Sequence, residues 1–235
     1  MDILRQIVDA RLRGHKLLAL LLDPDKPEAM RPLMYLNGQV DWILVGGSTG
    51  VVSETFIADI RRQTNLPLIL FPGSPEQFTP RADAVLFLTP MNARNAKWLI
   101  DYQVASAPLV AASEVLPVPT AYILIDGGRV STTQHLMKAK PLSRTNLARI
   151  QAYAKAAEYM GKQLIYLEDG SGAKIPVPQE VINAVRDVTD LPLIVGGGIR
   201  TPQEMQRAFL AGADIVVIGN HFEQYPEQLT LFTHD

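Results

Sequence analysis

The stretch LPLIVGGGIRTPQEMQRAFLAGADIVVIGN, residues 191–220, decides the fold. Residues 193–195 form an apolar run that stops at Gly196-Gly197-Gly198. Three glycines let the backbone take positive φ and approach a ligand with no Cβ in between. Thr201-Pro202 follows in the order of a helix start, an N-cap and then a proline at the first helical position. Gly212 is placed to end that helix, and Ile215–Ile218 is a second buried strand that finishes at Gly219-Asn220. Two parallel strands that each end in a glycine turn, late in a chain of 235 residues, match the phosphate cradle after strands 7 and 8 of a (β/α)8 barrel. Neither Gly196-Gly197-Gly198 nor Gly219-Asn220 contains Lys or Arg. A phosphate there would be held by backbone N–H groups and a helix N-terminus. Tight strand-to-helix turns are the plainer reading of the same glycines, but a run of three is more than a turn needs.

Six more apolar runs precede this pair. They are Leu17–Leu22 before Asp23-Pro24-Asp25-Lys26-Pro27, Trp42–Val45 before Gly46-Gly47-Ser48-Thr49, and 66–71 before Pro72-Gly73. The others are 84–88 before Thr89-Pro90, 122–125 before Asp126-Gly127-Gly128, and 164–167 before Glu168-Asp169-Gly170-Ser171-Gly172. Unbroken apolar runs are the pattern of parallel strands covered on both faces. Eight of them alternating with helical periodicity predict a single α/β domain over residues 1–235, a (β/α)8 TIM barrel. A weak internal repeat agrees: RQTNLPLILFPG (62–73) resembles DVTDLPLIVGGG (187–198), and ADAVLFL (82–88) resembles ADIVVIG (213–219). Residues 2–13 place Ile3, Leu4, Ile7, Val8 and Leu12 on one helical face, which predicts a helix capping the barrel bottom.

Two connections break the pattern. SPEQFTPRAD, between strands 3 and 4, is too short and too rich in proline for a barrel helix, so the ring of helices should have a gap there. Between strands 5 and 6 the chain is long, with a polar loop over 129–144 and an Ala-rich helix over 145–160. Residues 105–120 read as irregular and apolar. With Trp98 and Tyr102 they are a candidate homo-oligomer contact.

Composition narrows the function. Apolar residues make up 47% of the chain, enough for a sizeable core, and the formal net charge of −2 without a basic run argues against a nucleic-acid surface. There is no cysteine, so disulfide and thiolate chemistry are excluded and a cytoplasmic setting is expected. The first residues are too charged for a signal peptide, and no apolar run has membrane-spanning length.

Catalytic groups of this fold sit at the carboxyl ends of the strands. Asp23 and Asp25 follow strand 1, although Asp-Pro-Asp is also a common turn. Ser48 and Thr49 follow strand 2. One carboxylate and one hydroxyl there suit Mg²⁺, which takes few protein ligands and leaves room for phosphate oxygens. Along strand 6, alternation puts Tyr166 and Glu168 on one face, where polar side chains are costly unless they bind something. A buried structural Glu paired with a Lys is the alternative.

These residues carry a resemblance. DPDK at strand 1, GGST at strand 2, NARNAKWLI (92–100), YLEDGSG at strand 6, GGGIRTPQEM at strand 7 and VIGN at strand 8 resemble the geranylgeranylglyceryl phosphate synthase family over nearly the whole chain. The resemblance implies a prenyltransferase that joins a polyprenyl diphosphate, here most simply geranylgeranyl diphosphate, to the hydroxyl of sn-glycerol 1-phosphate, with Mg²⁺. It implies glycerol phosphate contacts from Tyr166, Leu167, Glu168, Asp169, Gly170, Ser171, Gly172, Gly197, Gly198, Gly219 and Asn220. Asp23 and Ser48 would hold Mg²⁺, and Glu168 would take the hydroxyl proton, with Asp23 the second catalytic carboxylate. Some members carry Lys two residues before the strand 1 Asp, where this chain has Leu21. The missing helix after strand 3 offers the prenyl tail a way out, bordered by Phe71, Phe78 and a helix near residues 92–99. Release of a lipid product implies transient membrane contact. The residues alone also leave open an isomerase or aldolase of sugar phosphates, using Asp126 and Lys26, or a non-catalytic binder of phosphate ligands.

Overall fold

In the computed structural model, which describes residues 2–47, 50–170 and 172–233, eight parallel strands close into a barrel in chain order. They are β1 (Leu17–Leu22), β2 (Trp42–Val45), β3 (Leu68–Leu70), β4 (Ala84–Pro90), β5 (Leu116–Leu124), β6 (Leu164–Glu168), β7 (Leu193–Gly196) and β8 (Ile215–Ile218). Every residue of β2, β3, β6, β7 and β8 is buried, which is why those strands are written without polar alternation. The chain divides into two compact units. One holds residues up to 86, 102–117 and from 218 onward, and the other holds 87–101 and 118–217.

In the first unit, α1 (Ile3–Leu12) starts at Asp2, whose side chain accepts from the Arg5 N–H. The expected apolar face is only half used: Ile3 and Ile7 are buried, while Val8 and Leu12 are exposed. The helix α2 (Glu54–Gln63) is capped by Ser53. Between β3 and β4 the only helical element is the 3-10 turn Pro75–Gln77, so no barrel helix forms there. Residues 105–120 are not irregular. Their first part belongs to α3 (Tyr102–Ala111), which packs against Pro75–Gln77, and the last part opens β5. Prolines at 117 and 119 hid that strand from a sequence reading. They sit at its start, where a missing N–H is tolerated, and their neighbours Val118 and Thr120 are buried.

In the second unit, the expected helix over 92–99 is displaced: a π-helical turn, Lys97–Asp101, runs into α3. The loop over 129–144 contains a short helix, α4 (Thr132–Met137), whose N-cap is Ser131. The helix α5 (Leu147–Tyr159) starts from Asn146, whose side chain accepts from the Arg149 N–H. The helix α6 (Gln179–Arg186) buries Val181, Ile182, Ala184 and Val185. The helix α7 (Pro202–Leu210) begins with a complete capping box between Thr201 and Glu204 and ends beside Gly212 at φ +111°. The short α8 (Asn220–Gln224) returns to the first unit. Trp98 is buried and donates to the Leu136 carbonyl at 3.1 Å.

Candidate functional site

In the first unit, Asp23 closes β1 and accepts from the Asp25 N–H at 3.1 Å. Asp25 in turn accepts from the Gly50 N–H at 2.8 Å. A side chain at Gly47 would run into the Asp23 carboxylate, so this glycine leaves room for the acid. Lys26 Nζ lies 3.8 Å from Asp23, 2.6 Å from the Asn220 side-chain oxygen and 2.9 Å from buried Glu223. Burial raises the Asp23 pKa above the ordinary carboxylate value, against the Asp25 N–H and the Lys26 charge, which lower it. Lys26 thus ties Asp23 to Asn220. The position two residues before Asp23 is apolar, yet a cation reaches that carboxylate from three residues after it. Gly219 approaches Leu21, whose Cβ would be 3.3 Å from a Cβ at Gly219. Ser48 lies outside the described residues.

In the second unit, Tyr166 and Glu168 share one face of β6, as alternation requires, and pair in register with Tyr122 and Leu124 of β5. Leu167 lies on the opposite face and is fully buried, so only its backbone is available to a ligand. The Tyr166 ring meets Tyr122 edge-on at 5.7 Å. Glu168 is 5% exposed, and burial pushes its pKa to about 7, with the Gly170 N–H (2.7 Å) and the Tyr166 hydroxyl acting against a further rise. A carboxylate poised near neutrality can accept a proton in one step and release it in the next.

The glycine run has its own physical account. A Cβ at Gly196 would lie 2.5 Å from the Tyr166 hydroxyl, and one at Gly197 would lie 2.6 Å from Glu168 Oε1. Gly197 and Gly198 have φ of +86° and +75°. Two of these glycines are therefore demanded by the polar pair on β6, and the turn and the pair form one constellation. Asp169, Gly170, Gly172 and Gly198 join it: Asp169 N–H donates to the Gly196 carbonyl at 3.2 Å, and Gly198 abuts Ala173 and Pro176. Ser171 lies outside the described residues.

Three arginines surround this loop. Arg144 binds the fully buried Asp169 carboxylate at 2.9 Å and reaches the carbonyls of Ile175 and Pro176. Arg200 donates to the carbonyls of Ala173 (2.5 Å) and Gly198 (3.1 Å). The Arg129 guanidinium lies 3.2 Å from where a Gly172 Cβ would stand. Burial pushes the Asp169 pKa to about 8 despite Arg144, and the Glu168 and Asp126 charges add to the rise. Its Oδ1 has no hydrogen-bond partner among the described residues. Cations do reach this site, from residues 25–32 positions away in sequence for Arg144 and Arg200, and from the loop after β5 for Arg129.

Residues 10–232 match the PcrB family. The chain is 44% identical over 225 residues to geranylgeranylglyceryl phosphate synthase of Flavobacterium johnsoniae, covering 93% of each. It is 42% identical over 224 residues to the enzyme of the same name from Thermococcus kodakarensis, covering 92% of this chain and 88% of that one. Among solved structures, it superposes with a TM-score of 0.88 on (S)-3-O-geranylgeranylglyceryl phosphate synthase from Thermoplasma acidophilum in complex with sn-glycerol-1-phosphate. That pair is 33% identical, with 99% of each chain covered. The Thermoplasma volcanium enzyme gives a TM-score of 0.87 at 32% identity, with 98% of this chain and 95% of that one covered. The chain belongs to the PcrB family and is a prenyltransferase.

Proposed function

We propose that this single catalytic domain joins a polyprenyl diphosphate, geranylgeranyl diphosphate first among them, to the free hydroxyl of sn-glycerol 1-phosphate through an ether bond. The observation that carries this reading is Glu168, a buried carboxylate with its pKa raised to about 7, set against the Gly196-Gly197-Gly198 turn. A relative that superposes over nearly the whole chain was solved with sn-glycerol-1-phosphate, which supports the acceptor. The glycerol phosphate is assigned to Tyr166, Glu168, Asp169, Gly170, Ser171 and Gly172, the backbone of Leu167, and the turns at Gly197-Gly198 and Gly219-Asn220. Arg129 adds charge to that set, which the glycines alone lack.

In the reaction the allylic carbon–oxygen bond of the diphosphate breaks and diphosphate leaves. The glycerol hydroxyl oxygen forms the new bond to that carbon, and its proton passes to Glu168. Asp23 and Asp25 offer hard oxygen donors beside a glycine, a set that suits Mg²⁺. Among the described residues there is no group of three or more His, Cys, Asp or Glu that could hold a metal, so diphosphate and water would complete its shell. Asp23, with Ser48, is assigned to hold it, and bound there it would supply charge neutralisation for the leaving group. Lys26 keeps Asp23 and Asn220 oriented. The prenyl tail is assigned to the flank between β3 and β4, where a single turn replaces a helix. Exposed Val104 and Leu109 on α3 are the candidate homo-oligomer contact. No helix among the described residues is long and apolar enough to cross a membrane, and the reaction is assigned to the cytoplasm. Incubation with sn-glycerol 1-phosphate, Mg²⁺ and prenyl diphosphates of several lengths, followed by mass analysis, tests the reading. An ether product and diphosphate are expected; their absence with every length overturns it.

A further inference from the structure

The loops that follow β4 to β7 in the second unit carry a charge the rest of the chain does not. Segments 91–96, 125–146, 169–178 and 197–201 hold seven Lys and Arg against two Asp, in a chain whose formal net charge is −2. Arg94, Lys140 and Arg149 converge on a cleft of about 290 Å³, completed by Pro141, Leu142, Ser143 and Asn146 at the start of α5. Among the described residues no carboxylate forms an ion pair with any of these three cations. The cleft wall is braced: Arg94 donates to the Tyr153 hydroxyl at 3.1 Å, and the Arg149 guanidinium lies 5.8 Å from the centre of the same ring. The same loop segments also expose Val130 (69%), Leu136 (37%) and Ile175 (56%). Uncompensated cations interleaved with exposed aliphatic side chains match an anionic bilayer, whose headgroups take the charge and whose acyl boundary takes the apolar tips. A soluble phosphate ester would use the first feature and leave the second without purpose.

We propose that these loops dock the protein on an anionic phospholipid surface, with the Arg94–Lys140–Arg149 cleft seating one lipid phosphate. The docking goes beyond the reaction, and its test uses no turnover. Sedimentation with vesicles of phosphatidylcholine containing about one-third phosphatidylglycerol should capture the protein at low salt. Pure phosphatidylcholine should not, and about 0.5 M salt should release it. The double variant Lys140→Glu/Arg149→Glu should partition at least about tenfold more weakly, since each cation near the surface contributes and each reversal also repels. Arg207→Glu, at an exposed position in the last turn of α7, should bind like the parent protein, and all variants should melt alike. Equal capture by neutral vesicles, or unchanged binding by the double variant, would overturn the proposal. So would failure to bind anionic vesicles in phosphate-free, low-salt buffer by a protein whose cleft does bind inorganic phosphate, which would make the site one for free phosphate.

Discussion

The segments around β3 and β7 are built alike at their amino ends and differently at their carboxyl ends. In the first, Asp83 accepts from the Leu68 N–H at 2.7 Å and from Arg61 Nη2 at 2.7 Å. In the second, Asp214 accepts from the Leu193 N–H at 2.8 Å and from Arg186 Nη2 at 3.0 Å. One carboxylate thus caps the first N–H of the preceding strand and anchors an arginine from the helix that leads into that strand. The repeated words NLPLIL and DLPLIV, with Arg61 matching Arg186, are this latch written twice. Past the strands the likeness ends. After β3, Gln77 ties its own loop to the one after β2, accepting from the Gly73 N–H at 2.6 Å and donating to the carbonyls of Gly47 and Gly50. After β7, Gly196 and Gly197 give way to Tyr166 and Glu168, and Gly197 and Gly198 hold positive φ. Latches belong to stability and carboxyl-end turns to chemistry, the division of labour expected of this barrel.

The largest effects should come from breaking the carboxyl end. Glu168→Gln keeps the shape and removes the base, so turnover should fall by about 10²–10⁴-fold while folding is preserved. Asp23→Asn should lose most turnover yet retain glycerol phosphate binding by calorimetry, because Asp23 is assigned to the metal and the diphosphate. Near-normal activity at limiting Mg²⁺ would return Asp23 to a turn role.

Next comes Gly197→Ala. Its Cβ would stand 2.6 Å from Glu168 Oε1 at a φ of +86°, so activity and stability should fall together, the latter by about 1–3 kcal/mol in urea unfolding. The latches should yield stability effects alone. Asp214→Asn weakens a carboxylate only 8% exposed and should cost about 2 kcal/mol. Asp83→Asn, at 28% exposure, is screened by solvent and should cost about 1 kcal/mol. Activity per folded molecule should be unchanged in both.

A further effect is on pH. Glu168 titrates near 4.5 when exposed and at about 7 in the fold. Below the lower value both states are protonated, and burial costs nothing. As pH rises toward 7 the unfolded state ionises first, so stability falls through that window. Glu168→Gln should flatten the fall in melting temperature between these values, while activity of the parent protein rises with pH toward about 7.

Much of this was legible in the sequence. The apolar runs marked all eight strands, because buried parallel strands leave no polar alternation to misread, and the shared face of Tyr166 and Glu168 followed from spacing alone. The start of β5 was hidden by Pro117 and Pro119, since proline argues against a strand wherever its N–H is needed. Val8 and Leu12 carried a helical periodicity that the packing of α1 does not use. The arginines were invisible for another reason: Arg144 and Arg200 act on carbonyls of a loop 26–32 residues away, and no spacing rule reports a contact made by the fold.

Glu168→Gln and Asp214→Asn, prepared side by side, test the division between the two ends most directly. Both are assayed for ether product per folded molecule and for their urea midpoints. The expected result is a crossed pattern: Glu168→Gln inactive with an unchanged or raised midpoint, Asp214→Asn active with a lowered one. An active Glu168→Gln, or one whose midpoint falls with its activity, would contradict the assignment of that carboxylate to chemistry.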